Sequence, residues 1–167
     1  MTTRAAAMAA QTAVTVVSHS TEETRDFAAT LADVASAGDR LALVGPLGAG
    51  KTQFAKGFAA GLGVREVVNS PSFTLMAEYA GRLPLFHQDL YRLSGAEEAL
   101  GGGLLDERQL EGVTLTEWAE RMPDAVDPGR FTVRFEVVGD DKRHITVMAA
   151  TPRHGRYLRA AATWQPQ

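Results

Sequence analysis

The residues of this chain whose types and spacing suit a chemical task begin with a glycine-rich run, G-P-L-G-A-G-K-T, at positions 45–52. The run fits the pattern G-x-x-x-x-G-K-[ST], in which backbone N–H groups of a glycine loop surround the oxygens of a polyphosphate. Lys51 is expected to reach the β- and γ-phosphates, and Thr52 to place its hydroxyl on Mg²⁺. The run therefore predicts that the chain binds a nucleoside triphosphate. The residues expected to contact it are Gly45, Gly48, Ala49, Gly50, Lys51 and Thr52.

The segments on either side of this run agree with a phosphate-binding loop. Residues 41–44 are a short apolar run, which predicts a buried strand. Residues 51–60 predict a helix that begins at Lys51, so that the positive end of its dipole faces the loop. A strand, a glycine loop and a helix in this order are the setting in which the pattern binds phosphate.

The composition narrows the possible functions. The chain has 167 residues, 45% of them apolar, which suits one domain with a substantial core. It has no cysteine, so disulfides and cysteine metal sites are excluded. A net charge of −3 argues against tight, direct binding of RNA or DNA, because proteins that grip nucleic acid over a broad surface are usually basic.

We expect a cytoplasmic protein with short extensions at both ends. No stretch is apolar for long enough to span a membrane. The start of the chain has one arginine and several alanines but no leucine, isoleucine or phenylalanine, which is a poor match to a secretory leader. We interpret residues 1–12 as a disordered extension and 13–150 as a P-loop domain. Residues 151–167 are an Arg- and Ala-rich tail, forming either a short helix or no fixed structure.

Strands and helices alternate in the first half of the chain, and hairpin patterns follow. One hairpin is expected from residues 73–79 and 83–89, and another from 131–138 and 144–149; helical pieces are expected between them, at 96–100 and 106–110. Alternation favours parallel strands, whereas hairpins add antiparallel ones. The predicted fold is a three-layer α/β P-loop NTPase fold with a mixed parallel and antiparallel sheet.

Two carboxylates, Asp89 and Glu117, each end a predicted strand. The carboxyl ends of strands face the ligand in open α/β folds, and a magnesium nucleotide site needs a carboxylate near the metal. Glu117 suits the position that supports the metal with Thr52, and Asp89 suits either holding a metal-bound water or orienting the attacking water. A solvated surface group or a helix cap is an equal alternative for either carboxylate alone. His87 is interpreted as a paired strand histidine rather than a general base.

Three hydroxyl residues follow the glycine-loop helix, in the stretch that leads into the first hairpin: Ser70, Ser72 and Thr74. In GTPase-like proteins this region holds a switch segment that responds to the γ-phosphate. The local sequence alone is more typical of a plain Ser-Pro turn with no such role.

Four sequence blocks together resemble the TsaE family, bacterial P-loop ATPases needed for threonylcarbamoyl modification of tRNA adenosine. The blocks follow the family's order and extend over roughly residues 16–147. They are G-P-L-G-A-G-K-T at 45–52, S-P-S-F-T-L at 70–75, H-Q-D-L-Y-R-L at 87–93 and E-W at 117–118. The chain departs from the family at Pro46, where Asp is common, and at Ser72, where Thr is usual.

The resemblance implies that the protein binds ATP and Mg²⁺ and hydrolyses ATP weakly when alone. It implies that Lys51 holds phosphates, and that Thr52 and Glu117 hold Mg²⁺. Asp89 would be the catalytic or water-orienting carboxylate. The residues that the resemblance assigns to the nucleotide base are Thr21 and Arg143, and those of the switch-like loop are Ser70, Ser72 and Thr74.

The resemblance also implies two partners, the transferase TsaD and its scaffold TsaB. The protein would permit turnover of that complex rather than make the modification itself. Two other functions fit the same residues. One is a small-molecule kinase of the P-loop class, and the other is a docking module that needs ATP binding but not hydrolysis.

Overall fold

The computed structural model describes residues 12–71, 74–91, 107–121 and 129–166. In these ranges the strands and helices alternate much as the sequence predicts. They are β1 (Ala13–Ser18), α1 (Thr21–Ala32), β2 (Arg40–Val44), α2 (Lys51–Gly61), β3 (Met76–Tyr79), β4 (Leu85–Asp89), β5 (Val113–Glu117), β6 (Phe131–Val137), β7 (Arg143–Met148) and α3 (Gly155–Thr163). Short 3₁₀ turns occupy Glu107–Glu111, Ala119–Arg121 and Pro152–His154. The extension predicted at 1–12 lies almost wholly outside the described residues, as does the helical piece predicted at 96–100.

The strands form one seven-stranded sheet in the order β1-β7-β6-β2-β5-β4-β3. The inner pairs β6–β2, β2–β5 and β5–β4 are parallel. The pairs at the two edges, β1–β7 and β7–β6 on one side and β4–β3 on the other, are antiparallel. The prediction of a mixed sheet is therefore confirmed, with the hairpins supplying the antiparallel strands.

The residues of one sheet face pack against the helices. Phe135 of β6 meets Phe54 of α2 with ring centroids 5.6 Å apart, and Phe131 stacks on Tyr157 of α3 at 4.4 Å. Since alternate residues of a strand share a face, α2 and α3 cover the same side of the sheet. Strands β4 and β5 are buried along their whole length, as expected where both faces of a sheet are covered.

Helices α1 and α2 cross at very close range. A Cβ added to Gly57 of α2 would lie 2.2 Å from the Arg25 carbonyl oxygen of α1, and one added to Gly61 would lie 2.8 Å from Ala29 Cα. The two glycines are four residues apart and so lie on one helix face. The absence of their side chains allows the two backbones to touch.

The Arg- and Ala-rich end of the chain forms the helix α3, the first of the two alternatives left open by the sequence. Its anchor is Asp39, a carboxylate that is only 2% exposed. Arg156 Nη2 lies 3.1 Å from Asp39 Oδ2, Arg153 Nη2 lies 3.1 Å from Oδ1, and the Tyr157 hydroxyl also donates to Asp39. Burial, reinforced by the hydrogen bond to Asp39, raises the pKa of Tyr157 far above its usual value. Residues 155–163 are thus packed on the core.

In the described ranges, none of the helices is both long and apolar enough to cross a membrane.

We expect Gly57→Ala to lower the free energy of unfolding by about 1–3 kcal/mol, because the added methyl group forces α1 and α2 apart. Urea denaturation of the two proteins measures the difference. Gly139→Ala is the matched control, since a Cβ there meets only Lys142 Cβ at 3.4 Å. An unchanged stability of Gly57→Ala would show that the helices can separate without cost.

Candidate functional site

The loop between β2 and α2 has a backbone shape that requires glycine. Gly45 has φ +150°, and a Cβ at this position would lie 2.8 Å from the carbonyl oxygen of Phe135. Gly50, the residue before α2, has φ +105°, in the left-handed region that residues with a Cβ rarely adopt. The glycines of the motif therefore give the loop a curvature that other residues would strain. That curvature is the one in which several N–H groups can face a common anion.

Lys51 is held beneath this loop. Its Nζ donates hydrogen bonds to the carbonyl oxygens of Gly45 and Pro46, the latter at 3.1 Å. The same atom lies 3.7 Å from the centre of the Trp118 ring, a cation–π contact. Burial lowers the pKa of Lys51 from its usual value, and nearby carboxylates, Glu120 before Glu117, oppose that shift. The ammonium group is thus buried beside the glycine loop. Its present acceptors are two backbone carbonyls, which the oxygens of a ligand could replace.

Thr52 connects the glycine loop to the predicted metal carboxylate. Its hydroxyl donates to Glu117 Oε1 at 2.9 Å, and the other oxygen of this carboxylate, Oε2, lies 2.6 Å from Nε2 of His87. Glu117 is 2% exposed and His87 is fully buried. A hydroxyl that donates its proton keeps its lone pairs, so Thr52 remains able to bind a cation while joined to Glu117.

Asp89 lies next to Glu117 at the same edge of the sheet. The two are register partners on the parallel strands β4 and β5, so their side chains share a face. Asp89 Oδ2 accepts a hydrogen bond from the hydroxyl of Ser70, and Oδ1 accepts one from the Tyr91 backbone N–H at 2.9 Å. Neighbouring buried carboxylates of this kind favour a cation between or beside them.

A cavity of about 350 Å³ opens above the glycine loop. Thr21, the first residue of α1, lines it on one side, and Arg143, the first residue of β7, lines it on another. Arg143 Nη2 donates to the Gly48 carbonyl at 3.2 Å, while its Nη1 donates to carbonyls of the β6–β7 turn, including Gly139 at 3.0 Å. Arg143 therefore fastens this turn to the loop.

The structure brings most of the predicted site residues together. The predicted residues that line the cavity are Thr21, Gly48, Ala49, Gly50, Lys51, Thr52, Glu117 and Arg143. Gly45 forms the base of the loop, and Asp89 stands beside Glu117 outside the cavity lining. Of the proposed switch-like loop, Ser70 reaches Asp89, whereas Thr74 is exposed and bonds to the Met76 carbonyl at 3.4 Å. Ser72 lies outside the described residues.

Two contacts of the site were missed by the sequence interpretation. His87 was expected to be a paired strand histidine, but its partner, Glu117, was not foreseen. The alternation of a strand gave a signal, because His87 is two residues before Asp89 and so shares its face. The contact between Trp118 and Lys51 depends on a left-handed backbone at Trp118, with φ +56°, which the sequence did not indicate.

The donor set fits a magnesium nucleotide better than a free-standing metal ion. In the described part of the chain, no group of three or more His, Asp or Glu side chains is placed to hold a metal by itself. In nucleotide sites Mg²⁺ is commonly held by one or two protein groups together with substrate phosphates. Thr52 and Glu117 are groups of this kind, and they lie beside the glycine loop.

A mixed α/β sheet with this loop after an inner parallel strand defines a P-loop protein. The sequence profile of the family described as "Threonylcarbamoyl adenosine biosynthesis protein TsaE" matches residues 18–145. The chain belongs to the TsaE family.

Individual relatives agree. The tRNA threonylcarbamoyladenosine biosynthesis protein TsaE of Bacillus subtilis is 46% identical over 135 residues, which are 80% of this chain and 84% of that protein. The protein of the same name from Treponema pallidum is 39% identical over 131 residues, 78% of this chain and 97% of its own. The crystal structure of YdiB from Bacillus subtilis superposes with a TM-score of 0.70 at 37% identity, covering 90% of this chain and 94% of YdiB.

We expect Arg143→Ala to speed hydrogen exchange of the amides at residues 47–49 by about fivefold, which corresponds to about 1 kcal/mol of lost loop protection. Hydrogen–deuterium exchange measured by mass spectrometry tests this. Lys142→Ala, one residue away and exposed, is the control and should leave the loop unchanged. Equal exchange in all three proteins would mean that Arg143 does not hold the loop.

Proposed function

We propose that this protein binds and hydrolyses ATP with Mg²⁺, as a component of the machinery that makes N6-threonylcarbamoyladenosine in tRNA. One observation carries the ATPase part: the Thr52 hydroxyl, at the start of the helix that follows the glycine loop, donates to Glu117 at the end of a neighbouring parallel strand. This is the pairing by which P-loop enzymes join the loop to a metal-supporting carboxylate. Membership of the TsaE family supports the assignment to tRNA modification.

The proposed chemistry starts with capture of the triphosphate by the loop. Backbone N–H groups of residues 48–52 and the dipole of α2 attract the phosphate oxygens. Lys51 exchanges its bonds to the Gly45 and Pro46 carbonyls for bonds to phosphate, which become stronger because both partners are charged. When bound, Mg²⁺ neutralises charge that develops on the β- and γ-phosphates.

Asp89 is proposed to orient the attacking water. A buried carboxylate next to Glu117 can accept a hydrogen bond from a water that lies in line with the γ-phosphate. The bond from Ser70 to Asp89 links the proposed switch-like loop to this carboxylate. We propose that reorganisation of this loop around the γ-phosphate sets the orientation of Asp89.

The proposed partners are TsaB and TsaD, and a net charge of −3 supports protein partners over direct contact with RNA. In this view ATP turnover by the protein permits repeated cycles of the modifying complex. The nucleotide base is proposed to lie between Thr21 and Arg143, on either side of the cavity above the loop.

Substitutions at the site test the ATPase proposal. Lys51→Ala should abolish ATP binding, because the loop loses its only side-chain cation, and Asp89→Asn should lower kcat by about 10²-fold or more. Calorimetry measures the first and release of inorganic phosphate the second. Lys56→Ala, on the same helix but away from the cavity above the loop, is the control. Wild-type turnover in both site variants, or transfer of the phosphoryl group to a metabolite, would contradict the proposal.

The partnership is tested by co-purification with TsaB and TsaD, with and without ATP. We expect a complex that forms with ATP and is lost with Lys51→Ala. Asp89→Asn should still form it but stall modification of tRNA after about one cycle, since binding is kept and hydrolysis is not. Sustained modification with Asp89→Asn would instead favour a docking module that does not need hydrolysis.

A further inference from the structure

His87 is a polar residue in an otherwise apolar position. It lies within β4, fully buried, and its register partners on the two neighbouring strands are Ala77 of β3 and Leu115 of β5. An apolar side chain would suit that position without any need for hydrogen bonds. The presence of an imidazole there calls for an account of what its nitrogens do.

The hydrogen bonding of His87 is one-sided. Nε2 lies 2.6 Å from Glu117 Oε2, whereas Nδ1 has no hydrogen-bond partner in the described part of the chain. An ionised carboxylate accepts only, so the proton of this bond belongs to Nε2. In the described ranges, the side chain of His87 thus has one hydrogen-bond partner, the Glu117 carboxylate.

This bond completes the support of the Glu117 carboxylate. Oε1 accepts from the Thr52 hydroxyl at 2.9 Å, and Oε2 accepts from His87. A glutamate has three side-chain torsions, and a buried charge is stable only when donors surround it. With one donor on each oxygen, the plane and the position of the carboxylate are fixed beside the Thr52 hydroxyl.

We propose that His87 is a positioning residue for divalent-cation binding, holding Glu117 in the orientation that a magnesium-bound nucleotide requires. The inference rests on the proposed function, because it assigns a support to the carboxylate of that same site. Side chains that orient a metal-binding carboxylate commonly contribute 10–100-fold to metal affinity. They contribute little to the affinity of a glycine loop for phosphate, because that affinity comes from backbone N–H groups and the lysine.

The test is calorimetric binding of ADP, in EDTA and in excess MgCl₂, with His87→Leu, His87→Gln and His87→Asn. The ratio of the two dissociation constants measures how much Mg²⁺ tightens binding. We expect His87→Leu to lower this ratio by about 10-fold or more while leaving the constant in EDTA unchanged. His87→Gln should retain most of the ratio, because its amide nitrogen reaches the place of Nε2. His87→Asn is too short to do so and should lose it.

Gln88→Leu is the matched control. Gln88 is the next residue of β4 and fully buried, but it faces the other side of the sheet and accepts a hydrogen bond from Thr116. The Gln88→Leu variant should be less stable than the wild type, yet the ratio of its ADP dissociation constants in EDTA and in MgCl₂ should be unchanged. If His87→Leu does not fold, the comparison of Gln with Asn decides, since both place an amide in the same pocket. Equal ratios in those two variants would overturn the proposal.

Glu117→Gln separates this proposal from the one on which it rests. If wild-type protein does not bind ADP, or if Glu117→Gln leaves the magnesium ratio unchanged, the proposed nucleotide and metal site is wrong. If Glu117→Gln lowers the ratio and the His87 variants all keep it, the site stands and the role of His87 falls.

Discussion

The register of three parallel strands is the constraint on which the rest of the site depends. Leu43 of β2 pairs with Glu117 of β5, and Glu117 pairs with Asp89 of β4. Because parallel strands end at the same edge of a sheet, both carboxylates emerge where β2 passes into the glycine loop. A shift of one residue would turn Glu117 to the opposite face, away from Thr52.

Charged side chains are buried at both ends of β2, and their partners differ in kind. At the carboxyl end, the buried Lys51 donates to the backbone carbonyls of Gly45 and Pro46, which phosphate oxygens are proposed to replace. At the amino end, Asp39 is buried under Arg156 and the Tyr157 hydroxyl of α3 and under Arg153 of the 3₁₀ turn before it. The first set is arranged for exchange, whereas the second ties the C-terminal helix to the sheet.

Local rules predicted much of this architecture. The glycine loop, the start of α2 at Lys51 and the strand ends at Asp89 and Glu117 follow from spacing and from strand alternation. The mixed sheet followed from the hairpin patterns. The sequence could not supply pairings between distant residues: His87 meets Glu117 across 30 positions, and Tyr157 meets Asp39 across 118. These depend on strand order, which no local pattern encodes.

The glycine contacts between α1 and α2 also restrict how the cavity can respond to a ligand. Thr21 begins α1 and Thr52 lies in the first turn of α2, so both helices contribute to the cavity wall. With backbone against backbone at Gly57 and Gly61, there is no layer of side chains that can deform between them. Close backbone contact at these two points favours movement of the two helices as a pair. Induced fit in this protein would then come from the β6–β7 turn that Arg143 fastens and from Trp118, both of which line the cavity as well.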